Sequence, residues 1–311
     1  MKQPSFTLVQ LRYFAAAAEH GSMTIAAREL VVSQSAVSTA IAQLEKGLGV
    51  QLLLRHHARG LALTAAGREF YAELRGYLAH TQELADSATN AGQALVGELV
   101  IGCFDTLAPF WLPTLVAEYG RRHPGVEVRA LEDEHSALKR ALRGGECEVA
   151  LMYGYDLGED LVPTVVGVAP PHVVLAADHP LAGGATVALA DLAEEPMVLL
   201  DLPHTNTYFR SLFAELGIEP QVRHRTRGYE TVRAMVAAGH GYAVLNQRPA
   251  HDLTYAGGRV VALPIREELA PLDIVLARAR DGRLTRKAEA FVKMCVGLHR
   301  DEEPAKEAAA R

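Results

Sequence analysis

The sequence predicts an α/β chain in three parts: a small helical head, a long linker helix, and a two-lobed domain of alternating strands and helices. Three observations carry this reading. Apolar residues recur at three- and four-residue spacing through the first segment and again across 65–90. From Leu95 onward, short apolar strand runs alternate with helical runs. At 311 residues the chain is too long for one ordinary domain. The parts fall at 1–64, 65–91 and 95–300, with one lobe from 97–168 and 272–299, a second from 169–271, and a disordered tail at 301–311.

In the head, Leu8, Leu11, Phe14, Ala15 and Ala18 make an amphipathic first helix that stops near Gly21. Ser22 caps a second helix through Ile25, Ala26, Ala27 and Leu30, and Ser33 caps a third from Gln34 to Leu48 that ends at Gly49. On the third helix Ala36, Val37, Ala40, Ile41, Leu44 and Leu48 are assigned to the core face. Gln34, Ser35, Ser38, Thr39 and Gln43 form the opposite face. Short, uncharged polar side chains approach base edges closely and hydrogen-bond them in a major groove, whereas a merely solvated helix face usually carries Lys and Glu. Residues 52–64 read as two short strands around a basic tip. Arg55 and Arg59 are placed to meet phosphates, while Leu53, Leu61 and Leu63 anchor the wing. His56 and His57 have no third ligand at metal spacing, so no metal site and no cofactor are expected.

Charge supports a polyanion partner at this end. Residues 1–64 carry six Lys/Arg against three Asp/Glu, a net of +3, which leaves −9 for the remainder of a chain of net −6. The N-terminus lacks a signal-peptide core, and every apolar run is broken by charge before it could span a bilayer, so a cytoplasmic protein with no membrane partner is expected. Cys103, Cys147 and Cys295 are few, odd in number and widely spaced, which reads as buried free thiols.

From Phe14 to Gly67 the sequence resembles the winged helix-turn-helix of the LysR-type transcriptional regulators. It carries in order LRYFAAAAEHGSMT, AARELVVSQSAVSTAIAQLEKGLGVQLL, the wing R-x-x-x-R and the closing L-x-L-T-x-x-G. Two departures stand out: the family often has Pro where Ser35 sits and a basic residue where Thr39 sits. The later segments LKRALRGGECEVAL, ADHPLA and YETVRAMVAAGHGYAVLN extend the resemblance over nearly the whole chain. It implies a periplasmic-binding-protein-like effector domain, double-stranded DNA and RNA polymerase as partners, and a dimer or a dimer of dimers.

The linker helix, capped by Thr64, carries Ala66, Phe70, Leu74, Tyr77, Leu78, Thr81, Leu84 and Ala88 along one stripe. Such a stripe pairs with the same helix of a second chain, with Phe70, Leu74, Tyr77, Leu78, Thr81 and Leu84 as contacts; the alternative is packing on the chain's own two-lobed domain. Ligands of open α/β sheets bind beyond the carboxyl ends of strands. The stretches 104–106, 132–135, 203–207 and 246–247 meet that condition. Positions matching Thr106, His135, the 203–207 loop and 246–247 line the effector pocket in the family, and Asp105, Thr106, His135, His204, Thr205, Asn206 and Asn246 are the expected contacts. Asp105, Glu132 and Asp133 point to an effector with a cationic or hydrogen-bond-donating nitrogen. The alternative makes Asp105 a helix cap and 132–134 a solvated loop, with Arg227 and Arg233 as an anion clamp. A hydrolase lacks its motifs in this sequence, a secreted solute-binding protein would not carry the head, and a regulator switched by oxidation would use Cys103.

Overall fold

The computed structural model describes residues 6–56, 60–89, 95–203 and 205–309, with backbone alone for 55, 56, 60, 86–89 and 300–309. The head is α1 (Leu8–His20), α2 (Met23–Glu29), α3 (Gln34–Leu48) and the wing strands β1 (Leu53–His56) and β2 (Gly60–Leu63). Each helix begins where a side-chain oxygen satisfies a free amide. Thr7 and Gln10 form a reciprocal capping box, Ser22 Oγ accepts from Ile25 N at 3.3 Å, and Ser33 Oγ accepts from Ala36 N at 3.1 Å. Leu11, Phe14, Ala17, Ala26, Val37, Ile41, Leu44 and Leu52 close the head's core. Glu45 clamps the wing to α3, its Oε1 accepting from Leu52 N at 2.8 Å and Leu53 N at 3.0 Å.

Two expected faces shift by a residue or two. Leu8 is 41% exposed, and Ala36 lies on the open side of α3, where Val37, Ile41 and Leu44 are the buried residues and Leu48 packs beside them. An alanine methyl carries too little area to dictate a side, about 1 kcal/mol at most by area.

Helix α4 (Ala65–Thr89) starts at Thr64, whose Oγ1 accepts from Gly67 N at 2.9 Å. Gly67 is required by close approach, since a Cβ there would stand 2.0 Å from the Leu52 carbonyl oxygen. The expected pairing stripe divides. Phe70 packs on Phe14 with ring centroids 5.5 Å apart, Leu74 is buried in the head's core, and Leu78 leans on the same cluster. These three serve the chain's own head, a correction to the stripe as a single pairing seam. The far half of α4 reaches the two-lobed domain. His80 Nε2 lies 2.9 Å from the Arg283 carbonyl oxygen, and Glu83 Oε1 accepts from Arg286 N at 2.6 Å. Thr81 bonds back to the Tyr77 carbonyl, while Tyr77 and Leu84 stay exposed.

The first lobe is a five-stranded sheet in the order β4-β3-β5-β12-β6, formed by β3 (Gly97–Phe104), β4 (Val126–Asp133), β5 (Val149–Tyr153), β6 (Leu161–Ala169) and β12 (Leu272–Ala279). Helices α5 (Ala108–Arg122), α6 (His135–Arg143) and α9 (Arg286–Ala309) belong to this lobe. In the second, β7 (His172–Ala176) pairs with β10 (Ala243–Leu245) and β11 (Val260–Pro264), and β8 (Pro196–Leu200) pairs with β9 (Gln221–Thr226). Helices α7 (Thr205–Glu215) and α8 (Tyr229–Ala237) complete it.

Strand–helix alternation favours a parallel sheet, whereas the observed pairing is mixed. Among the paired strands of the described residues only β3–β4, β3–β5 and β8–β9 run parallel, because β12 re-enters the first sheet antiparallel between β5 and β6. Strand β9 reads QVRHRT and alternates exposed with half-buried positions, so no apolar run marks it in the sequence. The tail also departs from expectation, since α9 continues through 301–309, where Ala, Glu and Lys favour helix over the disorder their charge suggested.

Candidate functional site

On the head, Gln34, Ser35, Ala36, Thr39 and Gln43 are exposed and Ser38 is half-buried. The polar face expected on α3 is thus open to a partner and gains Ala36. Ser33 Oγ lies 2.9 Å from Ser35 Oγ, and Gln10 Nε2 donates to Gln43 Oε1 at 3.1 Å, which fixes the two ends of the face. Leu61 N donates to the Gly21 carbonyl at 3.0 Å and ties the wing to the α1–α2 turn. The backbone of Arg55 lies in β1; its side chain, and the whole of Arg59, lie outside the described residues.

The second surface is a cleft where the carboxyl ends of β3, β5 and β8 meet the loop after β10. It is lined by Thr106, Tyr153, Tyr155, Leu200, Thr205, Tyr208, Phe209, Tyr229, Leu245, Asn246, Gln247 and Leu272, and its free volume is about 10 Å³. That is room for about one water, so the cleft is closed and a ligand enters it only as its walls part. Tyr153 shares a hydrogen bond with the Thr106 side chain and receives one from Gln247 Nε2 at 3.3 Å. The Tyr155 hydroxyl lies 3.1 Å from Thr205 Oγ1. Asn246 Nδ2 donates to the Ala169 carbonyl at 2.8 Å and to the Tyr208 hydroxyl at 3.0 Å, which joins the second lobe to the crossover into it. Tyr229 donates its hydroxyl to the Gln247 carbonyl. Burial pushes the Tyr155 hydroxyl up to about 12, and it raises Tyr153, Tyr208 and Tyr229 as well, so all four stay protonated donors at neutral pH.

Of the expected contacts, Thr106, Thr205 and Asn246 line this cleft. His135 stands behind it, fully buried and stacked on Tyr155 at 4.7 Å and 10°. Asn206 is turned to its own lobe, its Nδ2 donating to Asp201 Oδ1 and its Oδ1 accepting from Arg210 Nε. His204 lies outside the described residues. Asp105 is exposed and is not part of the lining. It is not the α5 cap either, because that position is Leu107, without a side-chain bond. Partial desolvation and the neighbouring Asp133 and Glu132 raise its carboxyl above the usual range, against the pull of Arg227. Arg233 cannot act as the anion clamp: it is buried, with its guanidinium held by Glu230 at 2.6 Å and by the His251 and Leu253 carbonyls.

Sequence reasoning missed the aromatic wall of Tyr153, Tyr155, Tyr208 and Tyr229. The signal was present at Tyr153-Gly154-Tyr155, which begins with the last residue of β5 at its carboxyl end. All three cysteines are buried, and burial pushes Cys147 and Cys295 up to about 12 and Cys103 higher still. A Cβ on Gly102 would lie 3.2 Å from Cys147 Sγ, so the next residue, Cys103, leaves the opposite face of the sheet. Among the described residues no group of three His, Cys, Asp or Glu could hold a metal ion, and no helix is long and apolar enough to cross a membrane.

A winged helix-turn-helix carried on a helix from a two-lobed ligand-binding domain defines a DNA-binding regulator. The family models agree with that class: the bacterial regulatory helix-turn-helix protein, lysR family, matches residues 8–68, and the LysR substrate binding domain matches 92–299. The chain belongs to the LysR family of transcriptional regulators. It is 28% identical to the uncharacterized HTH-type transcriptional regulator YvbU of Bacillus subtilis, over 94% of this chain and 98% of that protein. It is 30% identical to the DNA-binding transcriptional dual regulator OxyR of Escherichia coli, over 76% of this chain and 77% of that protein. Among solved structures, HinK, a LysR family transcriptional regulator from Pseudomonas aeruginosa, is 36% identical with a TM-score of 0.64 over 94% of this chain and 98% of that one. Regulators of this family bind DNA and small-molecule effectors and form oligomers.

Proposed function

We propose that this chain is a cytoplasmic, homo-oligomeric regulator that reads duplex DNA with residues 34–43 of two heads and responds to a small molecule held in the tyrosine-walled cleft. It acts on transcription through RNA polymerase and performs no catalysis. The observation that carries the effector reading is the lining itself. Hydroxyls of Thr106, Tyr153, Tyr155, Thr205 and Tyr208 and the amides of Asn246 and Gln247 meet in one cleft, and no described lining residue is charged. Such a set favours an uncharged, partly planar molecule with both donors and acceptors, admitted as the closed walls part. The nitrogen expected of the effector then enters as a neutral donor to a hydroxyl oxygen, since the acids that suggested a cation lie outside the cleft.

A ligand acts on the head only through differential affinity for two arrangements. A continuous set of contacts supports that coupling. Strand β5 carries Tyr153 at one end, and Glu148 stands directly before the other. Glu148 accepts from Thr285 N at 2.7 Å and Thr285 Oγ1 at 2.9 Å, and the next residue, Arg286, donates its amide to Glu83 of α4. Screening neutral and charged aromatic and aliphatic metabolites by thermal shift tests the site. Neutral hydrogen-bonding molecules should stabilise the wild type and not Thr205→Val or Tyr155→Ala. Stabilisation that survives both substitutions places the effector elsewhere.

A further inference from the structure

Helix α2 ends in a Schellman motif. Val32 N donates to the Ala27 carbonyl at 2.9 Å and Val31 N to the Arg28 carbonyl at 3.2 Å, around a residue in the left-handed conformation. That residue is Val31, at φ 56. Glycine, or asparagine, normally holds this position because a Cβ crowds the following carbonyl, and a β-branched side chain is the worst fit. Among the described residues only Asp156 shares a positive φ without being glycine, and aspartate tolerates it.

Among the described residues the valine gains nothing from its own chain. Its neighbours Leu30 and Val32 pack on the head's core, while Val31 is 89% exposed and takes no part in that cluster. An apolar, strained and solvent-facing side chain is what a folding requirement would remove. It stands two residues ahead of the Ser33 cap, at the leading end of the open face formed by Gln34, Ser35, Ala36 and Thr39. That face is continuous with it and presents polar side chains together with the methyl groups of Ala36 and Thr39.

We propose that Val31 is a specificity-determining residue of the head, and that its isopropyl group packs against the C5 methyl of a thymine in the bound duplex. The inference rests on the DNA reading of α3 proposed above. Thymine is the base that offers an apolar group in the major groove, and small apolar side chains are its usual contact. Strain held at a position without intramolecular use marks a site where a partner receives the side chain.

The test uses the full-length chain and a duplex selected by the wild type from a random-sequence pool. Val31→Gly and Val31→Asn should slow amide hydrogen exchange in α2 and α3, because the strain is relieved, and yet bind the selected duplex about tenfold more weakly. Replacing the thymines of that duplex one at a time by deoxyuridine, which lacks only the methyl, should reproduce the loss for the wild type at one position and leave Val31→Gly unaffected there. Variants that exchange more slowly and bind as tightly as the wild type overturn the proposal. So does a deoxyuridine effect equal in wild type and Val31→Gly, or faster exchange in the variants. Gln34→Ala serves as the reference: if it too binds undiminished, the DNA reading of α3 has failed, and not the assignment of Val31 alone.

Discussion

At the scale of single residues, hydrogen-bonding groups are placed where the backbone leaves amides without partners, and these placements were legible in the sequence. Ser22, Ser33 and Thr64 cap the helices they precede, because the rule needs only a local oxygen before a periodic apolar run. Ser33→Ala is expected to destabilise the head by about 1 kcal/mol, read as a lower denaturant midpoint. The contacts made by buried polar groups were not legible, because they depend on residues far apart in sequence. His172 is such a case. Burial and the nearby Arg248 hold its imidazole down to about 4. The unfolded chain, with an ordinary histidine near 6.5, therefore binds more protons than the folded one between those values. Stability should rise with pH across that window and fall on acidification. His172→Gln should flatten this part of the stability profile, and an unchanged profile would show that His172 is not its source.

Elements show why periodicity alone mistook the role of α4. A 3.6-residue stripe says which side of a helix is covered, and it does not say by what. Phe70 and Leu74 belong to the head that Phe14 anchors, while His80 and Glu83 lock the other half onto the Arg283–Arg286 turn. Leu74→Ala should therefore destabilise the head by about 2–5 kcal/mol, seen as loss of its cooperative melt. The exposed pair Tyr77 and Leu84 is our candidate for contact with a second chain. Leu84→Asp should leave the melting of the dilute chain unchanged and lower the sedimentation-derived dimer fraction at least several-fold. An equal dimer fraction would move the pairing surface away from α4. Glu83→Ala should preserve effector binding and weaken the effector's influence on DNA affinity, because it removes the carboxylate that joins α4 to the start of α9.

For the whole molecule, the sequence disclosed the order of parts and the place of the cleft, since strand ends and motif order are one-dimensional signals. Thr106, Thr205 and Asn246, which the resemblance to the family singled out at strand ends, line that cleft. The tyrosine wall escaped because four residues from β5, the loop after it, α7 and α8 converge only after β12 returns antiparallel and the two lobes face each other. His135 and Asn206 sit at equally suitable strand ends and still turn away from the cleft, one to stack behind Tyr155 and one to bond Asp201. Topology selects which side chains at the strand ends meet.

The central claim is that two symmetry-related copies of α3 enter one duplex. Hydroxyl-radical footprinting of the full-length chain on its selected duplex addresses it directly. Two protected patches of equal strength should appear, their centres one helical turn or a whole multiple of about 34–36 Å apart, and Gln34→Ala should erase both together. A single protected patch, or a pair that persists unchanged in Gln34→Ala, would contradict it.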